Sequence, residues 1–152
     1  MNAAAEARKL ILLRCVGALA TNSLRSPGWP YSAMLPYAVD ASGRPLFLIS
    51  TLAAHTKDLL ADPRASLQIT ADLEEEIART PRMTLMGKVE PVPAEDWPAA
   101  RAAYFESFPE AESWAHLGDF AFYRLEPVEI HYVGGFAAAA WVTPADYLSA
   151  LG

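Results

Sequence analysis

The segment "PLFLISTLAAHTKDLLADPRASLQIT", residues 45–70, places a short polar stretch between two apolar ones. The first apolar run, 46–51, has almost no polar position before its end, which predicts a strand covered on both faces. Residues 55–61 are predicted to form a short helix, and Pro63 ends it because proline disfavours helical geometry at the residue before it. Residues 65–72 predict the next strand. The segment is therefore predicted to be a strand–helix–strand unit.

Three residues at the start of that helix carry groups that bind anions. His55 and Lys57 can bear positive charge, and Thr56 offers a hydroxyl between them. The N-terminus of a helix adds unpaired backbone N–H groups and a partial positive charge, so the sequence predicts an anion site here. The simpler alternative is that Thr56 only caps the helix and that Lys57 is solvated.

The rest of the chain alternates short strands with short helices. Pro36 within the second strand predicts an edge strand, a bulge or an interrupted ladder, and Gly87 predicts a bulge or a close backbone approach. Thr143 is predicted to cap a last helix that begins at Pro144. The other predicted strands are 18–24, 31–40, 82–92, 119–127 and 129–136, the last two joined tightly at Pro127. The other predicted helices are 3–14, ended by Gly17, then 95–107, 110–117 and 143–151.

This order of elements predicts a mainly β (α+β) fold. About six to seven mostly antiparallel strands with short peripheral helices close most easily as a barrel. The length of 152 residues supports a single domain, residues 1–152, with a substantial core.

The charge balance excludes some classes of function. The 12 basic and 18 acidic residues give a net charge of −6, without a basic stripe of the kind that nucleic acids bind. No run approaches the roughly 20 apolar residues of a membrane span, and no signal peptide is evident. We therefore expect a cytoplasmic protein that binds neither nucleic acid nor membrane. The single cysteine, Cys15, is expected to be a buried, inert thiol because its neighbours are apolar.

Several stretches, in this order, match the pattern of a known family. They are "GALATNS" at 17–23, "LAAHTKDLLADPRASL" at 52–67, "MTLMGKVEPV" at 83–92 and "GDFAFYRLEPVEIHYVGGF" at 118–136. They resemble the FMN-binding split-barrel proteins related to pyridoxamine 5′-phosphate oxidase, and most closely the haem-utilisation type. The resemblance covers about residues 8–142. It implies a split β-barrel of the FMN-binding type and a homodimer with its cofactor sites at the subunit interface.

The resemblance also implies which residues hold the FMN. The phosphate is expected against the loop after the 46–51 strand, although the oxidases carry an arginine–lysine pair where Ala54 and His55 stand here. For Arg82, an ordinary surface position is an equal alternative. The implied FMN-binding residues are Met34, Leu35 and Pro36 beside the ring, Ser50 and Thr51 at the strand end, His55, Thr56 and Lys57 at the phosphate, and Arg82 and Thr84 on a later strand. The implied contacts from the partner chain are Trp114, Phe136 and Trp141, for each of which core packing is an equal alternative.

Other stretches limit the chemistry. Pyridoxamine 5′-phosphate oxidases hold their substrate phosphate with a stretch that here reads "GGFAAAAWV", 134–142, so that activity is not expected. His116 and His131 are the histidines considered as haem ligands, but His131 has apolar neighbours, where a hydrogen-bonded structural histidine is more common. No histidine–carboxylate spacing indicates a metal site. No residue is assigned as a catalytic acid, base or nucleophile.

The leading interpretation is an FMN-dependent oxidoreductase that acts on a small-molecule substrate, which the sequence does not identify. One alternative is a haem-binding or haem-degrading protein of the haem-utilisation type. Another is a flavin-binding module without turnover.

Overall fold

The computed structural model of the chain describes residues 2–72, 76–135 and 138–150. The strands are β1 (Val16–Asn22), β2 (Pro30–Pro36), β3 (Ala38–Val39), β4 (Pro45–Ser50), β5 (Arg64–Thr70), β6 (Arg82–Pro91), β7 (Phe120–Val133) and β8 (Ala139–Val142). The helices are α1 (Ala3–Leu13), α2 (Ala54–Ala61), α3 (Trp97–Ser107) and α4 (Pro144–Ser149), with 3-10 turns at Ile77–Arg79, Ala94–Asp96 and Pro109–Ser113.

The strands form one antiparallel sheet in the order β2-β1-β5-β6-β7-β4-β3, and β8 pairs with the second half of β7. The sheet curls into a half-barrel with the four helices at its periphery. The predicted mainly β architecture, with short peripheral helices, is therefore confirmed.

Strand β4 is covered on both faces, as its apolar run predicts. Phe47 and Ile49 point into the main core inside the half-barrel. Leu46 and Leu48 point the other way, into a second core cluster that includes Tyr104 of α3. An amphipathic helix on the outer side of a strand buries both sets of alternate side chains, so no polar alternation is needed in the sequence.

Strand β7 is continuous, which corrects the prediction of two strands joined at Pro127. Pro127 is aligned with Gly87 on β6, and Met86 is aligned with Glu129, so Val128 is the extra residue of a β-bulge. A proline is accepted at a bulge because the regular ladder is already interrupted there. The predicted bulge at Gly87 is confirmed, and a Cβ at this position would overlap the Glu126 carbonyl oxygen.

Other boundaries also follow local chemistry. The predicted strand 31–40 is divided at Pro36 into β2 and β3, and β2 lies at the edge of the sheet, so the expected interruption at an edge is found. The Thr143 side chain accepts a hydrogen bond from the Asp146 N–H at the start of α4. Helix α1 ends at Leu13, not at Gly17, which lies within β1. Cys15 is exposed, which corrects the expectation of a buried thiol.

Strand β8 was not predicted, because its alanine-rich sequence carries no strand pattern. Among the described residues, none of the helices combines the length and the apolar character required to cross a bilayer.

Candidate functional site

One face of the sheet points away from the core and carries a row of side chains that are aligned strand by strand. The inner row next to it, formed by Leu19, Leu67, Leu85 and Ile130, is completely buried. Because side chains alternate along a strand, the adjacent residues point outward. We call the aligned outward residues the outer row: Met34, Ala18, Gln68, Thr84, His131 and Trp141.

At one end of the outer row, His131 stacks against Trp141. The two ring centroids are 4.4 Å apart, and the planes are inclined by 34°. Within the described part of the chain, His131 forms no hydrogen bond, so both ring nitrogens are available to a ligand. The expectation of a hydrogen-bonded structural histidine is therefore wrong. Its neighbours Ile130 and Tyr132 point to the opposite face, where they are buried.

The next outward side chains form hydrogen bonds within the chain. Thr84 donates a 2.6 Å hydrogen bond to the Gln68 side-chain oxygen. Arg82 donates from Nη1 to the carbonyl oxygens of Ile77 and Thr80, at 2.8 and 3.2 Å. Arg82 therefore holds the 3-10 turn before β6, and this contact favours a structural role over a flavin contact.

The three residues implied for the flavin ring do not share a face. Met34 lies in the outer row and is 68% exposed. Leu35 points inward and is buried in the main core, whereas Pro36 is exposed at the strand end. Only Met34 and the β2 backbone can thus contact a ligand on the outer face.

The hydroxyls of Ser50 and Thr56, two of the residues implied for the phosphate, are engaged by contacts within the chain. Thr56 is fully buried and donates a 2.6 Å hydrogen bond to the Ser50 carbonyl oxygen. The Ser50 hydroxyl donates to the Asp119 carboxylate at 3.0 Å, and the exposed Thr51 donates its N–H to the Asp119 carbonyl oxygen. Thr56 is also not the cap of α2, because the N-cap is Ala53, which makes no capping side-chain bond. The expectation of Thr56 as the helix cap is therefore wrong, and its hydroxyl is bound to the Ser50 carbonyl oxygen instead.

The two basic residues of this helix differ in their charge. The pKa of His55 is lowered by burial, an effect that the nearby Asp58 partly opposes. Its buried Nε2 has no hydrogen-bond partner among the described residues. His55 is thus mainly neutral at pH 7, and the exposed Lys57 supplies the positive charge at the start of α2.

The aromatic residues implied as partner contacts have different surroundings. Trp114 packs on Phe120, with ring centroids 4.8 Å apart, at the edge of the second core cluster. Trp141 is 62% exposed at the end of the outer row. Phe136 lies outside the described residues. Core packing therefore accounts for Trp114 but not for Trp141.

In residues 2–72, 76–135 and 138–150, no cluster of three or more His, Cys, Asp and Glu side chains is arranged to hold a metal ion.

Comparison with known proteins gives relatives along most of the chain. It is 41% identical over 134 residues to the non-canonical heme oxygenase HOZ, chloroplastic, of Arabidopsis thaliana, covering 88% of this chain and 41% of that protein. Its structure matches a heme binding protein from Mycobacterium smegmatis with a TM-score of 0.90 and 32% identity, over 97% of this chain and 60% of the other. The heme storage protein HutZ of Vibrio cholerae matches with a TM-score of 0.70 and 25% identity, over 84% and 91% of the two chains.

The chain thus spans about two fifths to three fifths of the length of the first two of these relatives. The family described as "CREG, beta-barrel" matches residues 1–149. The resemblance to split-barrel proteins of the haem-utilisation type is confirmed, and the chain belongs to the CREG β-barrel family.

Proposed function

We propose that this protein binds haem on its outer row, with His131 as the axial ligand of the iron. The carrying observation is that the His131 imidazole stands on an exposed sheet face without a hydrogen-bond partner in the described residues. Imidazole is a common axial ligand of haem iron. The heme oxygenase of Arabidopsis and the heme binding protein of Mycobacterium smegmatis support this choice over a flavin.

The outer face also has the surface that a flat macrocycle needs. Trp141 is an exposed apolar side chain beside His131, and Met86 lies on the same face of β6, two residues from Thr84. Met34, at the other end of the row, lies four strand spacings from His131, about 19 Å, so it is outside the area that a macrocycle centred there would cover. Burying this apolar surface under a porphyrin would be favourable, at about 25 cal/mol for each Å² removed from water. Bound haem would supply one-electron or oxygen chemistry, while the protein would hold it and control access by water.

We further propose that the protein is a homodimer in which a second copy covers the other side of the macrocycle. The apolar side chains Val16, Met34, Val128 and Trp141 are all exposed on the outer face of one chain. A pairing of two such faces would satisfy the symmetry of a two-fold interface. Sedimentation of the haem-loaded protein should give twice the 16.5 kDa chain mass. A monomer that still binds haem would contradict the dimer but not the haem site.

The test of the haem site is a titration of purified protein with haemin, followed at the Soret band. His131→Ala should weaken binding and shift the band, and added imidazole should restore the original spectrum. His116→Ala is the matched control, because His116 is exposed and lies in the turn after α3, away from the outer row. Equal spectra for wild type and His131→Ala would exclude His131 as the ligand. No Soret band in the wild type would contradict haem binding itself.

FMN is the second candidate ligand. The observation in its favour is the helix α2, whose N-terminus has no side-chain cap and carries the exposed Lys57. Flavin-dependent oxidoreductase activity on a small molecule would follow only if FMN binds. A flavin absorption spectrum in the purified protein would favour this candidate over haem.

A further inference from the structure

A cleft of about 460 Å³ opens beside the outer row. It lies on the outer face of the central strands, where β1 ends, β5 begins and the β6–β7 bulge bends the sheet. Its floor is apolar, and two cationic side chains stand at its rim. The residues that line it are Ala20, Thr21, Asn22, Pro30, Arg64, Ala65, Ser66, Met86, Gly87, Lys88 and Val128.

The two cations face each other across neighbouring strands. Arg64 of β5 is aligned with Lys88 of β6. Arg64 uses Nε and Nη2 to bind the Asp62 carboxylate, at 3.0 and 2.7 Å, and its Nη1 has no hydrogen-bond partner in the described chain. Lys88 is exposed and forms no hydrogen bond or ion pair within the described ranges. The cationic donors left at the rim are therefore Lys88 and the Arg64 Nη1, while Asp62 pairs with Arg64, and Glu126 and Glu129 are aligned with Lys88 and Met86 across the β6–β7 ladder.

The spacing relates this rim to the proposed position of the iron. Thr84, aligned with His131, and Lys88 lie four residues apart on β6 and on the same face. Four residues of a strand span about 13 Å. A macrocycle centred near His131 would therefore cover Met86 and direct one edge toward Arg64 and Lys88, which have long, flexible side chains.

Haem is an apolar plate with two carboxylates on one edge. We propose that Arg64 and Lys88 bind these two propionate carboxylates, while the apolar cleft floor contacts the adjoining edge of the ring. This inference rests on the proposed haem site and adds an orientation to it. Cation–carboxylate contacts are stronger than neutral hydrogen bonds, and they would disfavour a porphyrin that lacks free acids.

The opposite orientation would direct the carboxylates toward Arg82. There, Nη1 of Arg82 already donates to two backbone carbonyl oxygens. Lys88 has no such competing contact, whereas Arg64 shares its guanidinium with the Asp62 carboxylate, so Lys88 is the residue that favours the cleft for the acidic edge. The two orientations make opposite predictions for Lys88 and Arg82.

The experiment compares haemin with haemin dimethyl ester, which has the same ring and iron but no free carboxylate. Both are titrated into wild type, Lys88→Gln, Arg64→Gln, Arg82→Gln and the control Lys9→Gln. Lys9 is exposed on α1 and is not part of the cleft. Its variant makes the same change in net charge as Lys88→Gln, but away from the proposed contact. The melting temperature of each variant is measured before titration.

Lys88→Gln and Arg64→Gln should each weaken haemin binding by about two- to fivefold, which is the usual contribution of an exposed charge pair. Their affinity for the ester and the Soret position of bound haemin should stay unchanged. Lys9→Gln should match the wild type with both ligands. Loss of haemin affinity in Arg82→Gln but not in Lys88→Gln would overturn the orientation. Equal weakening of haemin and ester, or no weakening, would also overturn it. Failure of the wild type to bind either porphyrin would instead contradict the proposed function.

Discussion

The Thr21 hydroxyl donates a 2.7 Å hydrogen bond to the Asp58 carboxylate, and both side chains are buried. The second oxygen of Asp58 accepts the Leu24 backbone N–H at 2.8 Å. This pair joins α2 to the end of β1 and to the loop that leads into β2. It therefore fixes the position of α2 at the end of the barrel.

Thr21→Val should destabilise the protein by about 1–3 kcal/mol, because it leaves one oxygen of a buried carboxylate without its partner. The free energy of unfolding in urea measures the effect. Thr70→Val is the matched control, since Thr70 is half-exposed on β5, and it should change the stability by less than about 0.5 kcal/mol. Similar values for the two variants would show that the Asp58 contact contributes little.

The pH dependence of stability should contain a contribution from His55. Burial lowers the pKa of His55 in the folded protein, so the unfolded chain binds a proton at a higher pH than the folded chain does. This contribution is therefore complete above the unfolded pKa of about 6.5 and is lost as the pH falls through the lower folded pKa.

We expect His55→Gln to lose less stability than the wild type between pH 7.5 and pH 5. Urea unfolding at a series of pH values tests this. His116→Gln serves as the control, because it makes the same substitution at an exposed position away from α2. A wild-type profile in His55→Gln would show that His55 is solvated in both states.

The covered strand β4 and the cap of α4 could be predicted because each depends on neighbouring residues. A run such as Leu46–Ile49 is buried on both sides whatever its partner strands are, and Thr143 before Pro144 is a local helix start. The continuity of β7 could not be predicted in this way. Pro127 is acceptable there only because Gly87, 40 residues earlier, lets the two backbones approach closely.

The outer row depends on strand register, which a single sequence does not specify. Gln68, Thr84 and His131 become neighbours only through the pairing of β5, β6 and β7. One signal for His131 was nevertheless present in the sequence. Strict alternation places it on the face opposite to Ile130 and Tyr132, so apolar neighbours along the chain did not imply an apolar environment.

Gly87→Ala should destabilise the protein by about 3 kcal/mol, near the upper end of the usual cost of overpacking. The added Cβ would overlap the Glu126 carbonyl oxygen, so the β6–β7 bulge would have to open. Gly28→Ala is the comparison, because Gly28 has φ of +89° but open space around it. It should cost only about 1–2 kcal/mol, the strain of a left-handed backbone. Urea unfolding distinguishes the two, and a smaller effect at Gly87 than at Gly28 would contradict a tight bulge.

The last prediction concerns FMN and the start of α2. The resemblance implies that His55, Thr56 and Lys57 hold its phosphate together. In the structure, the Thr56 hydroxyl is bound to Ser50, and burial lowers the pKa of His55, so Lys57 is left as the charged group. An exposed charge pair contributes about 0.2–1 kcal/mol. If FMN binds here, Lys57→Ala should therefore weaken it by no more than about fivefold and leave riboflavin, which lacks the phosphate, unaffected. Thr56→Ser, which keeps the hydroxyl, should change neither affinity. Fluorescence titration of the cofactor-free protein with both flavins measures these changes. Equal affinity of the wild type for FMN and riboflavin would show that α2 does not hold a phosphate, and the haem site on the outer row would then stand alone.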